Sequence, residues 1–276
     1  MELDSQGAPA TTLQPLSRFG AEARARVRGV LFDIDDTLTS EGRLTATAYA
    51  AMERLHVAGL LVVPITGRPA GWCDHFARMW PVDAVVGENG AFYFRYDAAQ
   101  RTLIKRFVVP EAERSENRRR LEHLKREILA AVPGTGVASD QLYREADLAI
   151  DYREDVEPLP AQAVARIVAL FEAAGATAKV SSIHVNGWYG DYDKLTTTRV
   201  MLAECFGVDL DADIARYVFV GDSPNDAPLF AAFPNAIGVA NVRDFEGRLA
   251  AAPAYVTEAR AGAGFAELAE ALLSAR

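Results

Sequence analysis

The sequence predicts an α/β protein whose core is a parallel sheet. The first observation is that short apolar runs end in polar residues, as at 27–33 (VRGVLFD) and at 217–222 (YVFVGD). Such runs are typical of parallel strands, which are buried on both faces. The second observation is that a helical pattern follows each run, as in βα units. The third is the length of 276 residues, enough for one large domain or two ordinary ones.

The first half of the predicted parallel core extends from residue 27 to residue 90. Residues 1–26 mix proline, glycine and glutamine without a bounded apolar face, so we expect a loosely ordered leader there. The predicted elements that follow are a strand at 27–33, a helix at about 45–58, a strand at 60–66, a helix at about 70–79, a strand at 84–86 and a turn at 87–90. Pro64 has no N–H to donate within a central sheet, but we still predict a strand at 60–66.

The pattern changes after residue 90. Two apolar segments, 92–96 and 103–109, are separated by a polar turn and predict a hairpin rather than a βα unit. The elements predicted next are a charged helix at about 111–131, a strand near 148–152, a helix from 160 to about 174 and a strand around 178–185. Together they predict an α+β domain inserted at residues 91–187, which at roughly 95 residues has a usual domain size.

The βα pattern resumes at Asp193 and Lys194. The predicted elements are a helix from Asp193 to Phe206, a strand at 217–220, a helix at about 227–232, a short strand at 236–239 and a terminal helix. We therefore expect one core domain made of residues 27–90 and 188–276, interrupted by the inserted domain.

The composition excludes several classes of function. With 29 basic and 38 acidic residues the formal net charge is -9, which disfavours binding to the phosphate backbone of nucleic acid. No apolar run approaches the ~18 residues of a membrane span, and the first residues do not have the apolar segment of a signal peptide. We expect a cytoplasmic protein without nucleic-acid or membrane partners. The sequence does not indicate an oligomeric state.

Asp33 and Asp35 are the first candidate functional residues. Asp33 ends a predicted strand, and ligands of open α/β sheets collect at the carboxyl ends of the strands. Two carboxylates at such an edge repel each other, which a shared divalent cation or proton makes tolerable. The alternative interpretation is that both residues serve only as turn and helix-cap residues.

Three further segments carry polar groups that suit a phosphorylated ligand. They are the turn of Thr66, Gly67 and Arg68, the single Lys194, and the segment after the 217–220 strand, which contains Gly221, Asp222, Asn225 and Asp226. Each has an ordinary structural interpretation: a strand-to-helix turn, a solvated surface lysine, and an Asx turn with a helix cap, respectively.

The order of these segments resembles the four motifs of the haloacid dehalogenase superfamily of phosphohydrolases, which are carried on a Rossmann-like core. The resemblance covers about residues 27–90 and 188–260. The insertion between the second and third motifs resembles the large α/β cap, of the C2B type, in the Cof-type or IIB subgroup. That subgroup often has an Asn-Gly-Ala turn like the one at 89–91. Many relatives have glycine at the position of Asp36.

The resemblance implies a role for each catalytic candidate. Asp33 is the nucleophile that forms an aspartyl-phosphate, and Asp35 protonates the leaving oxygen and then activates water. Thr66 donates a hydrogen bond to the phosphate, and Lys194 offsets negative charge on the phosphoryl oxygens and pairs with Asp226. Phosphate-side contacts are also expected from Gly67, Arg68 and Asn225.

The resemblance also implies magnesium (Mg2+) as the cofactor. Its expected ligands are one carboxylate oxygen each from Asp33 and Asp222, together with the backbone carbonyl of Asp35. Asp226 is expected behind these ligands, where it orients them.

The function implied is a magnesium-dependent phosphatase acting on a small phosphorylated metabolite such as a sugar phosphate. Two alternatives remain open. A phosphotransferase of the phosphomannomutase kind would pass the phosphoryl group to a sugar instead of water. A phosphoacceptor signalling module also uses clustered Asp, Thr and Lys with magnesium, but it expects the acceptor aspartate on a later strand than the acidic pair and needs no inserted domain.

Overall fold

The computed structural model describes residues 13–181 and 183–276. These residues form two compact units, one made of residues 13–60 and 214–276 and the other of residues 61–213. The first unit is built on a parallel sheet and the second contains antiparallel sheets, which confirms the predicted fold class. In the part of the chain that is described, no helix has the length and apolar character needed to cross a membrane.

The regular elements alternate along most of the chain. The strands are β1 (Gln14–Pro15), β2 (Gly29–Phe32), β3 (Leu61–Pro64), β4 (Val85–Gly87), β5 (Phe92–Asp97), β6 (Thr102–Phe107), β7 (Gly136–Val137), β8 (Asp147–Asp151), β9 (Thr177–Val180), β10 (His184–Trp188), β11 (Tyr217–Gly221), β12 (Ile237–Gly238) and β13 (Tyr255–Val256). The helices are α1 (Ala21–Ala25), α2 (Ala46–Val57), α3 (Ala70–Met79), α4 (Glu111–Ala131), α5 (Ala161–Ala173), α6 (Lys194–Phe206), α7 (Leu210–Asp213), α8 (Ala227–Ala232) and α9 (Ala261–Leu273).

The first unit has a parallel sheet in the order β1-β13-β12-β11-β2. Every residue of β2 and β11 is buried, as expected for strands covered on both faces. Helix α9 buries Phe265, Leu268 and Leu272, a spacing that puts these apolar side chains on one face of a helix. The sheet therefore has a buried apolar core, and the loops after β2 and β11 begin at one end of its strands.

The expected loosely ordered leader is wrong for residues 13–26. This segment contains β1, which pairs with β13, and α1. The Phe19 side chain is fully buried and stacks on Tyr255 with ring centroids 4.9 Å apart. Burial of Phe19 and Leu16 holds the segment, although its local sequence has no continuous apolar face. Residues 1–12 of the expected leader lie outside the described residues.

The second unit contains two antiparallel sheets, β4-β5-β6 and β7-β8-β10-β9. The predicted single strand at 178–185 is wrong, because this segment spans the end of β9, a turn and the start of β10. In the turn, the Ser181 N–H donates to the carbonyl of His184 at 2.8 Å, and the Ser181 hydroxyl accepts from the His184 N–H at 2.9 Å. The serine side chain thus closes the turn without glycine or proline.

The inserted α+β domain expected at residues 91–187 lies inside the second unit, which also contains residues 61–90 and 188–213. Packing explains this grouping. Cys73 and Val85 share an apolar cluster with Phe92 and Trp188, and the Tyr93 hydroxyl donates to Glu204 at 2.6 Å. The boundaries between core and cap at residues 90 and 188 remain a proposal from the sequence.

Candidate active site

Asp33 and Asp222 follow two neighbouring strands of the parallel sheet. In the pairing of β2 with β11, Phe32 lies opposite Val220, and the Asp33 N–H continues the ladder by donating to the Val220 carbonyl at 3.0 Å. The first unit thus brings Asp33, from the first predicted segment, beside Asp222, from the last. Both residues are buried, at 9% and 7% exposure. Asp35 lies farther along the same loop and is half-buried.

The loop after β2 is held by two side chains to which the sequence assigned no role. The fully buried Thr37 donates from its hydroxyl to Asp222 Oδ1 at 3.2 Å, which links the two strand ends. Asn241 Nδ2 donates to the carbonyl of Asp36 at 2.9 Å. Asp36 itself has φ +56, a left-handed conformation that glycine adopts freely and aspartate tolerates. The spacing of residues 33–37 could have indicated Thr37, but no local signal indicates Asn241.

The charges around Asp222 favour a bound cation. Burial, followed by the negative charges of Asp226, Asp33 and Asp36, raises the pKa of Asp222 to about 9. Clustered buried carboxylates are costly unless a proton or a cation neutralises them. The hydrogen bond from Thr37 acts in the opposite direction and lowers this pKa.

The oxygen atoms at this edge are of the kind that Mg2+ prefers as ligands. Among the residues described, no group of three or more His, Cys, Asp or Glu side chains is arranged to hold a metal ion. Magnesium is usually bound by one or two carboxylates and keeps several waters, so it does not need a larger set of side chains. Asp33 and Asp222, which are buried beside each other, are such a pair.

Asp226 shapes the loop that carries Asp222. Its Oδ2 atom accepts the N–H groups of Asp222 at 3.0 Å and Ser223 at 3.4 Å, and the residue is almost completely buried. These bonds fix the backbone just after β11. Asn225 lies next to Asp226 in the same short 3-10 helix, Pro224–Asp226, and is half-buried.

We expect Gly221→Ala to destabilise the protein and to disorder this loop. A Cβ at Gly221 would lie 2.6 Å from Asp226 Cγ and 2.8 Å from Asp226 Cβ, so it would displace the carboxylate that holds the loop. Overpacking of this kind costs about 1–3 kcal/mol. Thermal unfolding measures the effect. Gly20→Ala is the matched control in the same unit, because a Cβ there would meet nothing within 4 Å. An equal, small shift in both variants would contradict the packing argument.

Thr66 follows β3 in the second unit and is fully buried. Its N–H donates to the Val86 carbonyl at 2.9 Å, and its carbonyl accepts the Asn89 N–H at 3.1 Å. Its hydroxyl oxygen accepts the Arg68 N–H at 3.0 Å. Backbone and side chain of Thr66 are therefore both fixed in the turn that contains Gly67 and Arg68.

The turn at Glu88–Gly90 connects Thr66 with the start of α6. Lys194 is the first residue of that helix, and Asp193 caps it by accepting the Thr196 N–H at 2.7 Å. Gly90 has φ +108, and a Cβ there would overlap the Asp193 carbonyl, so only glycine allows this approach. The Thr197 hydroxyl donates to the Gly90 carbonyl at 2.5 Å. Within the second unit, the Glu88–Gly90 turn therefore contacts both Thr66 and the start of α6.

Glu88 is a fully buried carboxylate that the sequence analysis missed. It accepts the N–H groups of Ala70 at 2.9 Å, Glu145 at 2.9 Å, Ala146 at 2.7 Å and Asp147 at 3.2 Å. Burial, and next the charge of Asp147, raises the pKa of Glu88 to about 8, whereas the nearby Arg144 and the backbone donors lower it. The carboxylate ties the start of α3 to the start of β8. In the sequence, the one sign of this role is that a glutamate lies in a turn between two glycines, Gly87 and Gly90.

The comparisons with known proteins agree on one fold. The family model described as haloacid dehalogenase-like hydrolase matches residues 30–115. No curated protein sequence matches the chain. Among solved structures, the C-terminal domain of the trehalose-6-phosphate phosphatase of C. albicans is 12% identical, with a TM-score of 0.73 and coverage of 97% of this chain and 99% of that one.

Two further solved structures are similar over most of both chains. The sucrose-phosphatase of Synechocystis sp., in complex with sucrose and phosphate, is 13% identical with a TM-score of 0.62, covering 89% of this chain and 98% of that one. A sugar phosphatase of haloacid dehalogenase subclass IIB is 13% identical with a TM-score of 0.59, covering 90% and 98%. At these identities the similarity shows the fold.

Proposed function

We propose that this chain, whose residues 30–115 match the family model of haloacid dehalogenase-like hydrolases and whose fold is shared with solved phosphatases of that class, is a magnesium-dependent phosphatase of a small phosphorylated metabolite. The observation that supports this most is the pair of buried carboxylates, Asp33 and Asp222, at adjacent ends of parallel strands. Ligands of open α/β sheets bind at that edge.

The proposed reaction has two steps, both centred on the loop after β2. The Asp33 carboxylate attacks phosphorus, the bond to the leaving oxygen breaks, and an aspartyl-phosphate forms. Asp35 gives its proton to the leaving oxygen. It then takes a proton from the water that attacks the same phosphorus, which releases phosphate and restores Asp33. Thr37 donates to Asp222 and Asn241 donates to the Asp36 carbonyl, so the loop that carries both carboxylates is held to the neighbouring strand end.

The remaining proposed groups bind and neutralise the phosphoryl group. The Thr66 hydroxyl donates to a phosphoryl oxygen, and the Lys194 ammonium offsets the charge that moves between oxygens during transfer. Gly67, Arg68 and Asn225 supply further phosphate-side contacts. Asp226 holds the loop of Asp222 through two N–H bonds, and we propose it as the carboxylate partner of Lys194.

We propose that Asp33, Asp222 and the carbonyl of Asp35 hold Mg2+. When bound, the ion stabilises the negative charge of the phosphoryl oxygens. The proposal is supported by the raised pKa of Asp222, which follows from burial and from the neighbouring carboxylates. Without a cation these side chains repel one another, so the site is arranged for a positive charge.

The proposed substrate class is a sugar phosphate. Two proteins that share the fold are named trehalose-6-phosphate phosphatase and sucrose-phosphatase, and a third is named a sugar phosphatase. The test is phosphate release from a panel of sugar phosphates, nucleotides and phospho-acids, with Mg2+ or with EDTA. We expect release that requires Mg2+ and is fastest with a sugar phosphate. No release from any compound would contradict the proposal, and transfer to an added sugar would favour a phosphotransferase instead.

We expect Lys194→Ala to lower both phosphate affinity and turnover, with kcat/KM reduced about a hundredfold, because a fixed positive charge is lost from the transition state. Steady-state kinetics on the best substrate, with inorganic phosphate as competitive inhibitor, measures both effects. Lys125→Ala is the matched control, since Lys125 belongs to α4 and pairs with Glu122. If the Lys194 variant had wild-type kinetics, Lys194 would be a solvated surface lysine with no part in the reaction.

A further inference from the structure

Arg144 is a charged residue that none of the roles above uses, although its side chain is only 2% exposed. Its guanidinium is surrounded by oxygen atoms. Nε and Nη2 donate to the two carboxylate oxygens of Asp140 at 2.9 and 3.1 Å. Nη1 donates to the two carboxylate oxygens of Asp147 at 3.0 and 3.1 Å. The cation is therefore neutralised by two buried aspartates and held in one orientation.

The same Nη1 atom also donates to the carbonyl oxygen of Gly67 at 3.1 Å. The peptide group between Gly67 and Arg68 is thus held from both sides. Its C=O accepts from Arg144, and its N–H donates to Thr66 Oγ1 at 3.0 Å. Since a peptide group is planar, fixing the carbonyl also fixes the direction of the N–H.

The direction of that N–H decides what the Thr66 hydroxyl can do. A hydroxyl that accepts one hydrogen bond keeps its own hydrogen for donation. Because the Arg68 N–H occupies one lone pair of Oγ1, the hydroxyl hydrogen is directed away from that N–H and can be donated to a ligand oxygen. If this peptide group rotated, the hydrogen bond from the Arg68 N–H to Thr66 Oγ1 would be lost, and the hydroxyl could donate in other directions.

The segment that carries Arg144 is itself anchored to the turns around Thr66. Glu88 accepts three consecutive N–H groups from residues 145–147, and its own N–H donates to the Arg68 carbonyl at 3.1 Å. Asn186 on β10 donates to Asp147 Oδ2 at 2.9 Å. Arg144 therefore reaches Gly67 from a frame that cannot shift without breaking several buried hydrogen bonds.

We propose that Arg144 is a positioning residue for Thr66: through the Gly67–Arg68 peptide, it sets the Thr66 hydroxyl as the donor to the phosphoryl oxygen. The inference rests on the proposed function for the role of Thr66, and on the hydrogen bonds above for the rest. Arginine suits this role because its planar fork serves two carboxylates and a carbonyl at once, which a lysine ammonium cannot match.

The test is a double-mutant cycle of Arg144→Lys with Thr66→Ala. We expect each single variant to lower kcat/KM by about tenfold to a hundredfold, the range for a hydrogen bond to a charged group. The double variant is expected to be no slower than Thr66→Ala, because Arg144 acts only through that hydroxyl. Losses that multiply in the double variant would overturn the proposal.

Arg114→Lys is the matched control for the loss of a buried arginine in the same unit. Arg114 is 9% exposed, pairs with Glu111 and lies over the Phe107 ring at 3.4 Å. We expect its kcat/KM to remain at the wild-type level. If Arg114→Lys lowered kcat/KM as much as Arg144→Lys does, both effects would reflect a general loss of rigidity in the unit. The specific role of Arg144 would then be overturned.

Hydrogen exchange of the Arg68 amide tests the positioning without any substrate. We expect Arg144→Lys, but not Arg114→Lys, to accelerate this exchange at least about tenfold, because the peptide group loses its carbonyl partner. Unchanged exchange would overturn the inference whatever the enzyme does. An absence of phosphate release by the wild type, together with accelerated exchange, would reject the proposed function and keep the link from Arg144 to Thr66. If Arg144→Lys does not fold, Asn186→Ala replaces it, because it removes the hydrogen bond that orients Asp147 and leaves Arg144 and its two carboxylate partners in place.

Discussion

Asp33→Asn is expected to reduce phosphate release by a factor on the order of 10⁴ or more, as loss of a nucleophile does in other enzymes. The amide of asparagine has nearly the size of the carboxylate but does not attack phosphorus. The fold should be unaffected, because the hydrogen bond from the Asp33 N–H to the Val220 carbonyl uses the backbone. Turnover on the best substrate and thermal unfolding measure the two effects separately.

The matched control for that variant is Asp36→Asn. It removes one carboxylate from the same loop, and asparagine accepts the left-handed φ of +56 at this position. We expect turnover within about tenfold of the wild type, since no chemical step is assigned to Asp36. If Asp33→Asn kept more than about a hundredth of wild-type turnover, Asp33 would not be the nucleophile.

Asp222→Asn is expected to separate stability from activity. The variant removes a buried carboxyl whose ionisation is disfavoured by Asp33, Asp36 and Asp226, and its amide oxygen can still accept from Thr37. In EDTA we therefore expect it to unfold at the same temperature as the wild type or at a higher one. Its activity should fall at least about a hundredfold, and the Mg2+ concentration needed for half-maximal rate should rise, because one ligand charge is lost.

Thermal unfolding with and without Mg2+ tests the same residue independently of catalysis. A ligand that binds only the folded state stabilises it, by about 2.7 kcal/mol at a hundred times its dissociation constant. We expect Mg2+ to raise the unfolding temperature of the wild type and to have much less effect on Asp222→Asn. An equal Mg2+-dependent rise in both proteins would place the cation elsewhere.

Local periodicity was enough to predict several elements of the fold. Helices α3, α4 and α8 were predicted at 70–79, 111–131 and 227–232, and they have these bounds in the structure. Their apolar and capping patterns are contained within a few turns of chain. Strands β1 and β13 were not predicted, because each has only two residues and they pair with each other across more than 200 residues of chain.

The site residues whose proximity could be predicted are those that directly follow parallel strands. Asp33 and Asp222 follow apolar runs, and parallel pairing of those runs brings their ends together. Glu88 and Arg144 could not be predicted in the same way. Buried charges are rare, and these two depend on partners distant in sequence, such as Gly67 for Arg144 and the 145–147 backbone for Glu88. These contacts can be identified only once the positions of the residues in the folded chain are known.

The most direct test of the central proposal is to trap the aspartyl-phosphate. The enzyme would be mixed with its best sugar phosphate in the presence of Mg2+, quenched in acid within milliseconds, reduced with borohydride, and mapped by mass spectrometry. Reduction converts a phosphorylated aspartate to homoserine, and trypsin places Asp33 in the peptide of residues 29–43. We predict conversion at position 33 and none at positions 35 and 36. Phosphate release without conversion at position 33 would contradict covalent catalysis by Asp33.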